Sequence, residues 1–294
     1  MTRILVTGGS GQVGGALSQL KAQGVHFIAP RRDALDLSDA QSIKSYLARE
    51  PFDAIINCAA YTAVDKAESE RDLTWAINAT APGLIAQHCA TAKIPLLHVS
   101  TDYVFSGEAT RPYVENDVVG PINIYGASKE AGEAAIRATL SEHIILRTSW
   151  VVSASGHNFL KTMLRLAADR DELRVVADQQ GRPSSAHDIA DTLCILANKA
   201  LSGSATFGTF HFANAGDTNW ADFARAIFDL SQKRGGPSAR VTSITTADYP
   251  TPAKRPGNSR LNTAKIESTY GITPRPWTEA INDILISLIP QGAS

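Results

Sequence analysis

The sequence has little cysteine, no excess of charge and no long apolar run. Its three cysteines (Cys58, Cys89 and Cys194) lie far apart, without the paired spacing of a zinc site or a disulfide framework. Such usage is typical of a reducing compartment, and we expect a cytoplasmic location. The 28 Lys and Arg residues nearly balance the 29 Asp and Glu residues, giving a net charge of −1. Because no long-range field results, we expect neither nucleic acid nor a membrane as a partner.

Several kinds of segment are also missing. No apolar run reaches the roughly 18 residues that a membrane span needs. Residues 1–6 run directly into a strand pattern, so we expect no signal peptide. There is no internal repeat and no low-complexity stretch. The 294 residues, 44% hydrophobic and 19% charged, are those of an ordinary globular protein with one large domain or two unequal lobes.

The first half of the chain alternates short apolar segments with helical patterns. We predict strands at residues 3–6, 26–29, 54–57, 96–100 and 144–147, and helices at residues 12–23, 40–49, 73–91 and 127–141. Ser38 and Gln41 have the spacing of a capping box for the second helix. Strands that alternate with helices predict an α/β fold with a doubly wound, Rossmann-like parallel sheet.

After about residue 150 the alternation becomes less regular. Helical patterns at residues 159–168, 187–199, 220–232 and 278–288 are separated by connections rich in Gly, Pro and Asn. We therefore predict an NAD(P)-binding Rossmann domain over residues 1–150. Residues 151–294 would form a smaller C-terminal lobe that mainly binds substrate, with some elements returning to the core.

A glycine-rich turn follows the first predicted strand. Gly8, Gly11 and Gly14 form a G-x-x-G-x-x-G motif, in which Gln12 and Val13 begin the helix. Glycines at this spacing let backbone N–H groups approach a pyrophosphate at a helix N-terminus, where the helix dipole favours an anion. Because the motif lies between a strand and a helix, it predicts a dinucleotide site rather than an ordinary turn.

The end of the second predicted strand bears on which dinucleotide is bound. An acid there binds the ribose hydroxyl of NADH, whereas an arginine binds the 2′-phosphate of NADPH. Arg31 and Arg32 come first and favour NADPH, although both could be solvated loop charges, and Asp33 keeps NADH as an alternative. The loops after the second and third strands should also flank the cofactor, through Asp36, Leu37, Ala59 and Ala60.

Tyr125 and Lys129 form a Tyr-x-x-x-Lys pair at the head of a predicted helix, and the spacing puts both on one face. A cation beside the phenol should lower the pKa of Tyr125 from about 10, so that the tyrosine can donate a proton near neutral pH. The fourth strand, which ends at Thr101 and Asp102, precedes this pair. A hydroxyl there suits a developing oxyanion, and the alternative is that both residues only cap the strand end.

The glycine turn, Thr101 and the Tyr125/Lys129 pair, in this order, resemble the extended short-chain dehydrogenase/reductase family. Five segments resemble one branch of it, the dTDP-4-dehydrorhamnose reductases: residues 11–14, 57–68, 99–105, 147–150 and 255–261. The resemblance runs from about residue 3 to about residue 288. It implies NADPH-dependent reduction of the 4-keto group of dTDP-4-dehydro-L-rhamnose to give dTDP-L-rhamnose.

The resemblance also implies roles for individual residues. Thr101 would hold the substrate carbonyl, Tyr125 would donate the proton, and Lys129 would tune Tyr125 and bind the nicotinamide ribose. Ala60, Tyr61 and Thr62 would line the cofactor. The sugar nucleotide would be contacted by Asp102, Trp150, Arg182, Arg255 and Arg260. Trp150 could equally be a core aromatic, and the three arginines could lie on solvated loops.

Three questions stay open at this point. Some family members bind magnesium at a dimer contact through acids near the first helix and the C-terminus. Residues 14–17 and 290–294 lack acids, so we expect no metal, and a monomer or a homodimer.

A nucleotide-sugar epimerase or dehydratase could use the same fold. Dehydratases of this type follow the threonine with Asp-Glu, whereas this chain has Asp102-Tyr103. A non-catalytic regulatory subunit is the third reading, disfavoured by the intact Thr101, Tyr125 and Lys129.

Overall fold

The computed structural model describes residues 1–20 and 24–290. Its strands are β1 (Thr2–Thr7), β2 (Val25–Ile28), β3 (Ala54–Asn57), β4 (Leu96–Thr101), β5 (His143–Thr148), β6 (Val151–Val152), β7 (Glu172–Val176), β8 (Gln180–Gly181), β9 (Ser184–Ser185), β10 (Gly208–His211), β11 (Thr218–Asn219) and β12 (Arg240–Ile244). Its α-helices are α1 (Gln12–Gln19), α2 (Ala40–Leu47), α3 (Val64–Ala67), α4 (Arg71–Trp75), α5 (Ala81–Ala92), α6 (Ile124–Thr139), α7 (Phe159–Ala167), α8 (Ala186–Leu201), α9 (Trp220–Gln232), α10 (Ala264–Tyr270) and α11 (Trp277–Leu288). Within these residues no helix is long and apolar enough to cross a membrane.

Six parallel strands form the central sheet, in the order β10-β5-β4-β3-β1-β2. In β1, Ile4 and Val6 join an apolar cluster with α1 and α8, while Leu5 joins another with α2, α5 and α6. A strand covered by helices on both faces needs apolar side chains on both sides, which explains the unbroken apolar run at residues 4–6. The predicted α/β fold with a doubly wound parallel sheet is confirmed.

The chain after residue 150 contributes to this sheet and to a second core. β10 pairs with β5 at the sheet edge, and α8 packs against α1. A separate apolar cluster gathers side chains of α7, α9 and α11 around the fully buried Phe223. β7 and β12 pair in parallel beside this cluster. The second half of the chain therefore extends the central sheet and also forms a core of its own.

Several predicted helices begin or end at other residues in the structure, by up to three residues for α6, and α1 and α2 show physical reasons for such differences. α1 ends at Gln19, since Leu20 already has an extended backbone; the rest of that prediction, residues 21–23, lies outside the described residues. α2 is capped by Asp39, whose side chain accepts from the N–H of Gln41. The capping box predicted at Ser38 is wrong, because the Ser38 hydroxyl and N–H both bond to Asp36 instead.

The predicted helix over residues 73–91 is interrupted. A π-helical turn (Ala76–Thr80) joins α4 to α5. It presents Asn78 to the loop after β3, where Asn78 Oδ1 accepts from the Tyr61 N–H at 2.8 Å and Nδ2 donates to the Tyr61 carbonyl at 3.1 Å. Single π-helical turns inside helices frequently accompany functional sites, and this one holds a loop that borders the site described below.

Candidate active site

A cavity of about 710 Å³ lies at the carboxyl ends of β1, β3, β4 and β5. In a doubly wound sheet this crevice is where ligands bind. Its wall contains the glycine turn (residues 8–13), residues of the loops after β2 and β3, the end of β4, and two side chains of α6. The second half of the chain contributes Trp150, Val151, Gly156, His157 and Trp220. The cavity is thus shared between the predicted cofactor side and the predicted substrate side.

The glycine turn has no room for side chains at two positions. Gly8 has a φ of +71°, and a Cβ there would lie 2.8 Å from the Ala59 backbone. A Cβ on Gly14 would lie 2.3 Å from the Gly8 carbonyl oxygen. No side chain caps α1, so its first N–H groups are free for an anion. The turn therefore fits the pyrophosphate of a dinucleotide.

The two arginines after β2 occupy different environments. Arg32 belongs to the cavity wall and lies 3.6 Å from Asp36, which also lines the cavity together with Leu37. Hydrogen bonds from Ser38 are the main reason that the pKa of Asp36 is lowered. Arg31 is exposed and, among the described residues, is not part of the cavity wall. Of these two arginines, Arg32 is therefore the one placed to contact a ligand.

The loop after β3 brings small residues to the cavity. Ala59, Ala60 and Thr62 line it, as the sequence led us to expect. The side chain of Tyr61 turns away, and its hydroxyl donates to Glu70 at 2.6 Å. A cofactor contact by Tyr61 would therefore have to involve its backbone, so the assignment of this residue stays a prediction.

Thr101 and Asp102 close the end of β4 and are both buried. The Thr101 hydroxyl accepts from the Tyr103 N–H at 3.2 Å and donates to Asp102 Oδ1 at 3.0 Å. Asp102 Oδ2 is buried without a hydrogen-bond partner. Burial raises the pKa of Asp102 to about 6, although the Ser259 and Thr101 hydroxyls oppose it. The carboxyl is thus poised to gain or lose a proton near neutral pH.

Tyr125 lies in the first turn of α6, beside the turn that follows β4. Gly126 permits this contact, because a Cβ there would lie 2.1 Å from the Tyr103 carbonyl oxygen. The rings of Tyr125 and Tyr103 pack edge to face with centroids 5.5 Å apart. Burial raises the pKa of Tyr125 to about 12, and the nearby Thr101 hydroxyl opposes this only in part. The expected lowering of this pKa is therefore wrong for the protein alone.

Lys129 is the cation that was expected to lower the pKa of Tyr125, but its ammonium contacts β4. Its side chain is 1% exposed, and Nζ donates to the Val99 carbonyl at 2.8 Å and lies 3.1 Å from His98 Nε2. Burial lowers the pKa of Lys129 to about 8, while the Glu133 carboxylate opposes the shift. Nζ is therefore engaged with β4, although Thr101, Tyr125 and Lys129 all line the same cavity.

Two tryptophans form the wall on the side of the second half. Trp150 has a φ of +46°, and its ring stacks on Trp220 with centroids 3.5 Å apart. Gly181 makes room for it, since a Cβ there would lie 2.3 Å from the indole. A strained backbone that holds an aromatic ring at a cavity is typical of a ligand contact. Sequence reasoning found Trp150 only through the resemblance and missed Trp220, which carries no motif.

The three loop arginines are paired with protein groups. Arg182 and Arg260 both bind Asp217, at 2.6 and 3.2 Å, and Arg255 binds Asp65 at 2.9 Å. Among the described residues none of the three lines the cavity. Their contact with a diphosphate stays a prediction.

The described residues also bear on metals. Across residues 1–20 and 24–290 no group of three or more His, Cys, Asp or Glu side chains is placed to hold a metal ion. The C-terminal residues 291–294, which entered the expectation of no metal, lie outside the described residues.

Comparisons with known proteins agree with the resemblance found in the sequence. The family described as RmlD substrate binding domain matches residues 1–289. A curated dTDP-4-dehydrorhamnose reductase from Sinorhizobium fredii is 42% identical over 292 residues, which cover 99% of both chains. The crystal structure of a dTDP-4-dehydrorhamnose reductase from Clostridium acetobutylicum is 37% identical, with a TM-score of 0.91 over 98% of this chain and 99% of that chain. A dTDP-4-dehydrorhamnose reductase from Bacillus anthracis, solved in complex with NADP, is 34% identical, with a TM-score of 0.90 over 98% of this chain and 100% of that chain.

Proposed function

This chain belongs to the RmlD substrate binding domain family, together with dTDP-4-dehydrorhamnose reductases, and we propose that it reduces dTDP-4-dehydro-L-rhamnose at C4 with NADPH, giving dTDP-L-rhamnose. One observation carries the proposal. Thr101, Tyr125 and Lys129 meet in the same cavity as an uncapped helix N-terminus behind a glycine turn. A proton donor and a dinucleotide site are thereby brought together, as reduction of a carbonyl requires.

The cofactor side of the cavity supports NADPH. The first N–H groups of α1 would bind the pyrophosphate, and Arg32 would bind the 2′-phosphate, with Arg31 outside the wall. The small residues Ala59 and Ala60 leave room beside the glycine turn. When bound, NADPH supplies the hydride that reaches the carbonyl carbon.

The other residues handle the charge that then develops on the carbonyl oxygen. The Thr101 hydroxyl would bind this oxygen, which requires its hydrogen to turn away from Asp102. Tyr125 would donate its proton to the alkoxide, the stronger base. A raised pKa keeps the phenol protonated until that moment. The ammonium of Lys129 would then stabilise the phenolate that is left.

The residue after Asp102 favours reduction over elimination. An elimination of water needs a second acid beside the first, and this chain has Tyr103 there. The phenol of Tyr103 has a raised pKa through burial and the charge of Asp102, so it remains neutral. Among the described residues, the cavity wall therefore offers a proton donor for one oxygen, whereas Asp102 has no second acid next to it in the chain.

A cytoplasmic location is part of the proposal. Cys58, Cys89 and Cys194 are free thiols, and free thiols suit a reducing compartment. A nucleotide sugar and NADPH are the small molecules that the enzyme would meet there.

The function is tested by following NADPH oxidation with dTDP-4-dehydro-L-rhamnose in wild type and Tyr125→Phe. Removing the proton donor should lower kcat by about 10²–10⁴-fold, while the Kd for NADPH, measured by fluorescence, stays nearly unchanged. Tyr249→Phe is the matched control, because Tyr249 is 60% exposed and outside the cavity wall. If Tyr125→Phe kept more than about a tenth of the wild-type turnover, Tyr125 would not be the donor.

A further inference from the structure

A row of polar side chains crosses the carboxyl end of the sheet beneath the cavity. Thr7 of β1, Asn57 of β3 and His98 of β4 are register partners on adjacent parallel strands. The row ends at Lys129 on α6, which covers that face of the sheet. Asn57 and His98 are completely buried, so each of their polar atoms must find a partner within the protein.

The direction of the hydrogen bonds in this row is fixed at one end. Asn57 Oδ1 accepts from the Thr7 hydroxyl at 2.5 Å and from the Ala59 N–H at 3.3 Å. A backbone N–H can only donate, and the Ala59 N–H lies between Asn57 Oδ1 and Thr7 Oγ1, which is 3.4 Å away, so the amide oxygen rather than the NH2 group suits this side. Asn57 Nδ2 then points at His98 Nδ1, 3.0 Å away, and donates to it.

This orientation determines the tautomer of His98. A ring nitrogen that accepts a hydrogen bond carries no proton, so the proton of the neutral imidazole must be on Nε2. Nε2–H then points at Lys129 Nζ, at 3.1 Å. A neutral amine can accept this bond and still donate to the Val99 carbonyl, whereas an ammonium has no lone pair to offer. The row therefore opposes a charge on Lys129.

We propose that Asn57 and His98 are positioning residues, which control the charge and the direction of Lys129 Nζ through this row. The inference rests on the proposed function, in which the ammonium of Lys129 stabilises the phenolate of Tyr125. A charged Lys129 has a favourable contact with His98 only if the imidazole proton moves to Nδ1. The Asn57 amide must then rotate, which places its NH2 group opposite the Ala59 N–H. Asn57 and His98 thereby set the pH above which the lysine no longer supports reduction.

Other groups around Lys129 act in the same region and do not change with His98. They are Glu133 on α6, Arg147 on β5, which pairs with Glu133, Cys58 after β3, Asp102 and Tyr125 at the cavity, and Glu68, which accepts from the first N–H of α6. Burial holds the Cys58 thiol neutral by raising its pKa to about 12. A carboxylate at residue 57 would also attract the Lys129 ammonium directly, so the tautomer of His98 is the readout that separates the two effects.

Asn57→Asp is the decisive variant. A carboxylate still accepts from Thr7 and Ala59, but it also accepts from His98, so the imidazole proton moves to Nδ1. Nε2 then offers a lone pair to the Lys129 ammonium. We expect the alkaline limb of kcat/KM to move upward by about one pH unit. Asn123→Asp is the matched control. Asn123 is also buried, but its side chain caps α6, the helix that carries Lys129, through the Gly126 N–H.

The tautomer is read directly from ¹⁵N shifts of the histidine rings in the protein without cofactor or substrate, at pH 9. His98 signals are assigned by their absence from His98→Gln. We expect a protonated Nε2 in wild type and in Asn123→Asp, and a protonated Nδ1 in Asn57→Asp. A protonated Nδ1 in wild type, or an Asn57→Asp variant with the wild-type tautomer and pH profile, would overturn the inference. Because the tautomer is measured without turnover, its result does not depend on whether the proposed substrate is correct.

Discussion

Replacing Glu133 with Gln should destabilise the protein by disrupting the buried ion pair that joins Glu133 of α6 to Arg147 of β5. Glu133 is fully buried and Arg147 is 3% exposed. Arg147 Nε donates to Glu133 Oε1 at 2.9 Å and Nη2 donates to Oε2 at 2.7 Å, while Arg137 adds a third bond at 2.8 Å. Gln keeps the shape of the side chain but turns one acceptor into a donor, so the buried guanidinium loses its counter-charge.

The expected loss follows from that burial. Breaking a buried pair by removing one partner costs about 3–5 kcal/mol, and we expect about 3 kcal/mol because Gln retains one acceptor. Burial is the largest influence and would raise the pKa of Glu133, but the hydrogen bonds and charge of Arg147, together with Ser100 and Arg137, outweigh it, so the pKa is lowered. A lowered folded-state pKa gives stability that is complete above the unfolded pKa of about 4.3 and is lost as the pH falls through the folded pKa. The difference between wild type and Glu133→Gln should therefore shrink below about pH 4.

Urea unfolding at pH 7 and at pH 3 measures this difference. Glu172→Gln is the control, because Glu172 pairs with an Arg240 side chain that is 75% exposed, and its unfolding midpoint should not change. Combining Glu133→Gln with Arg147→Met should cost less than the sum of the single changes by at least about 1 kcal/mol. A Glu133→Gln variant no less stable than Glu172→Gln would refute this account of α6.

Three further predictions concern the site. The kcat/KM of the free enzyme should fall as the pH rises through about 8, since Lys129 loses its proton there; a pH profile flat to pH 10 would contradict this. Arg32→Ala should lower the preference for NADPH over NADH about tenfold or more, the worth of one charge-assisted bond, whereas Arg31→Ala should leave the kcat/KM ratio unchanged; equal effects of both would disprove the assignment. Gly126→Ala should reduce kcat and the melting temperature together, because its Cβ would lie 2.1 Å from the Tyr103 carbonyl oxygen; wild-type values of both would show that α6 can shift freely.

Five strands of the central sheet were predictable because each contains a short apolar segment and helical patterns separate them. The prediction for β3 matches the structure, and those for the other four strands differ by one residue at one or both ends. The strand β10 was missed, since residues 208–211 are short and carry no clear pattern. Their place in the sheet is determined by pairing with β5, a contact far away in sequence.

The candidate site was predictable where a motif carries its own geometry. The glycine turn and the Tyr125/Lys129 pair are local patterns, and the structure brings both to one cavity. The pKa of Tyr125 was not predictable, because it depends on whether Lys129 Nζ contacts the phenol or β4. The π-helical turn that presents Asn78 was also hidden, since one extra residue in a turn leaves the apolar pattern nearly unchanged.

The row beneath the cavity has a signal in the sequence that can be recognised afterwards. Thr7, Asn57 and His98 are among the few polar residues within or at the ends of largely apolar strands. Buried polar residues on neighbouring strands suggest a shared hydrogen-bond network. Strand register decides whether they meet, and register follows only from the folded sheet.

The central claim is that this enzyme reduces the C4 carbonyl of dTDP-4-dehydro-L-rhamnose with hydride from NADPH. The most direct measurement supplies that sugar nucleotide with NADPH deuterated at the transferable position and identifies the product by NMR. We expect dTDP-L-rhamnose with deuterium on C4, formed in equal amount to the NADP⁺ released. A product without deuterium, or NADPH left unoxidised while another keto sugar is turned over, would contradict the claim.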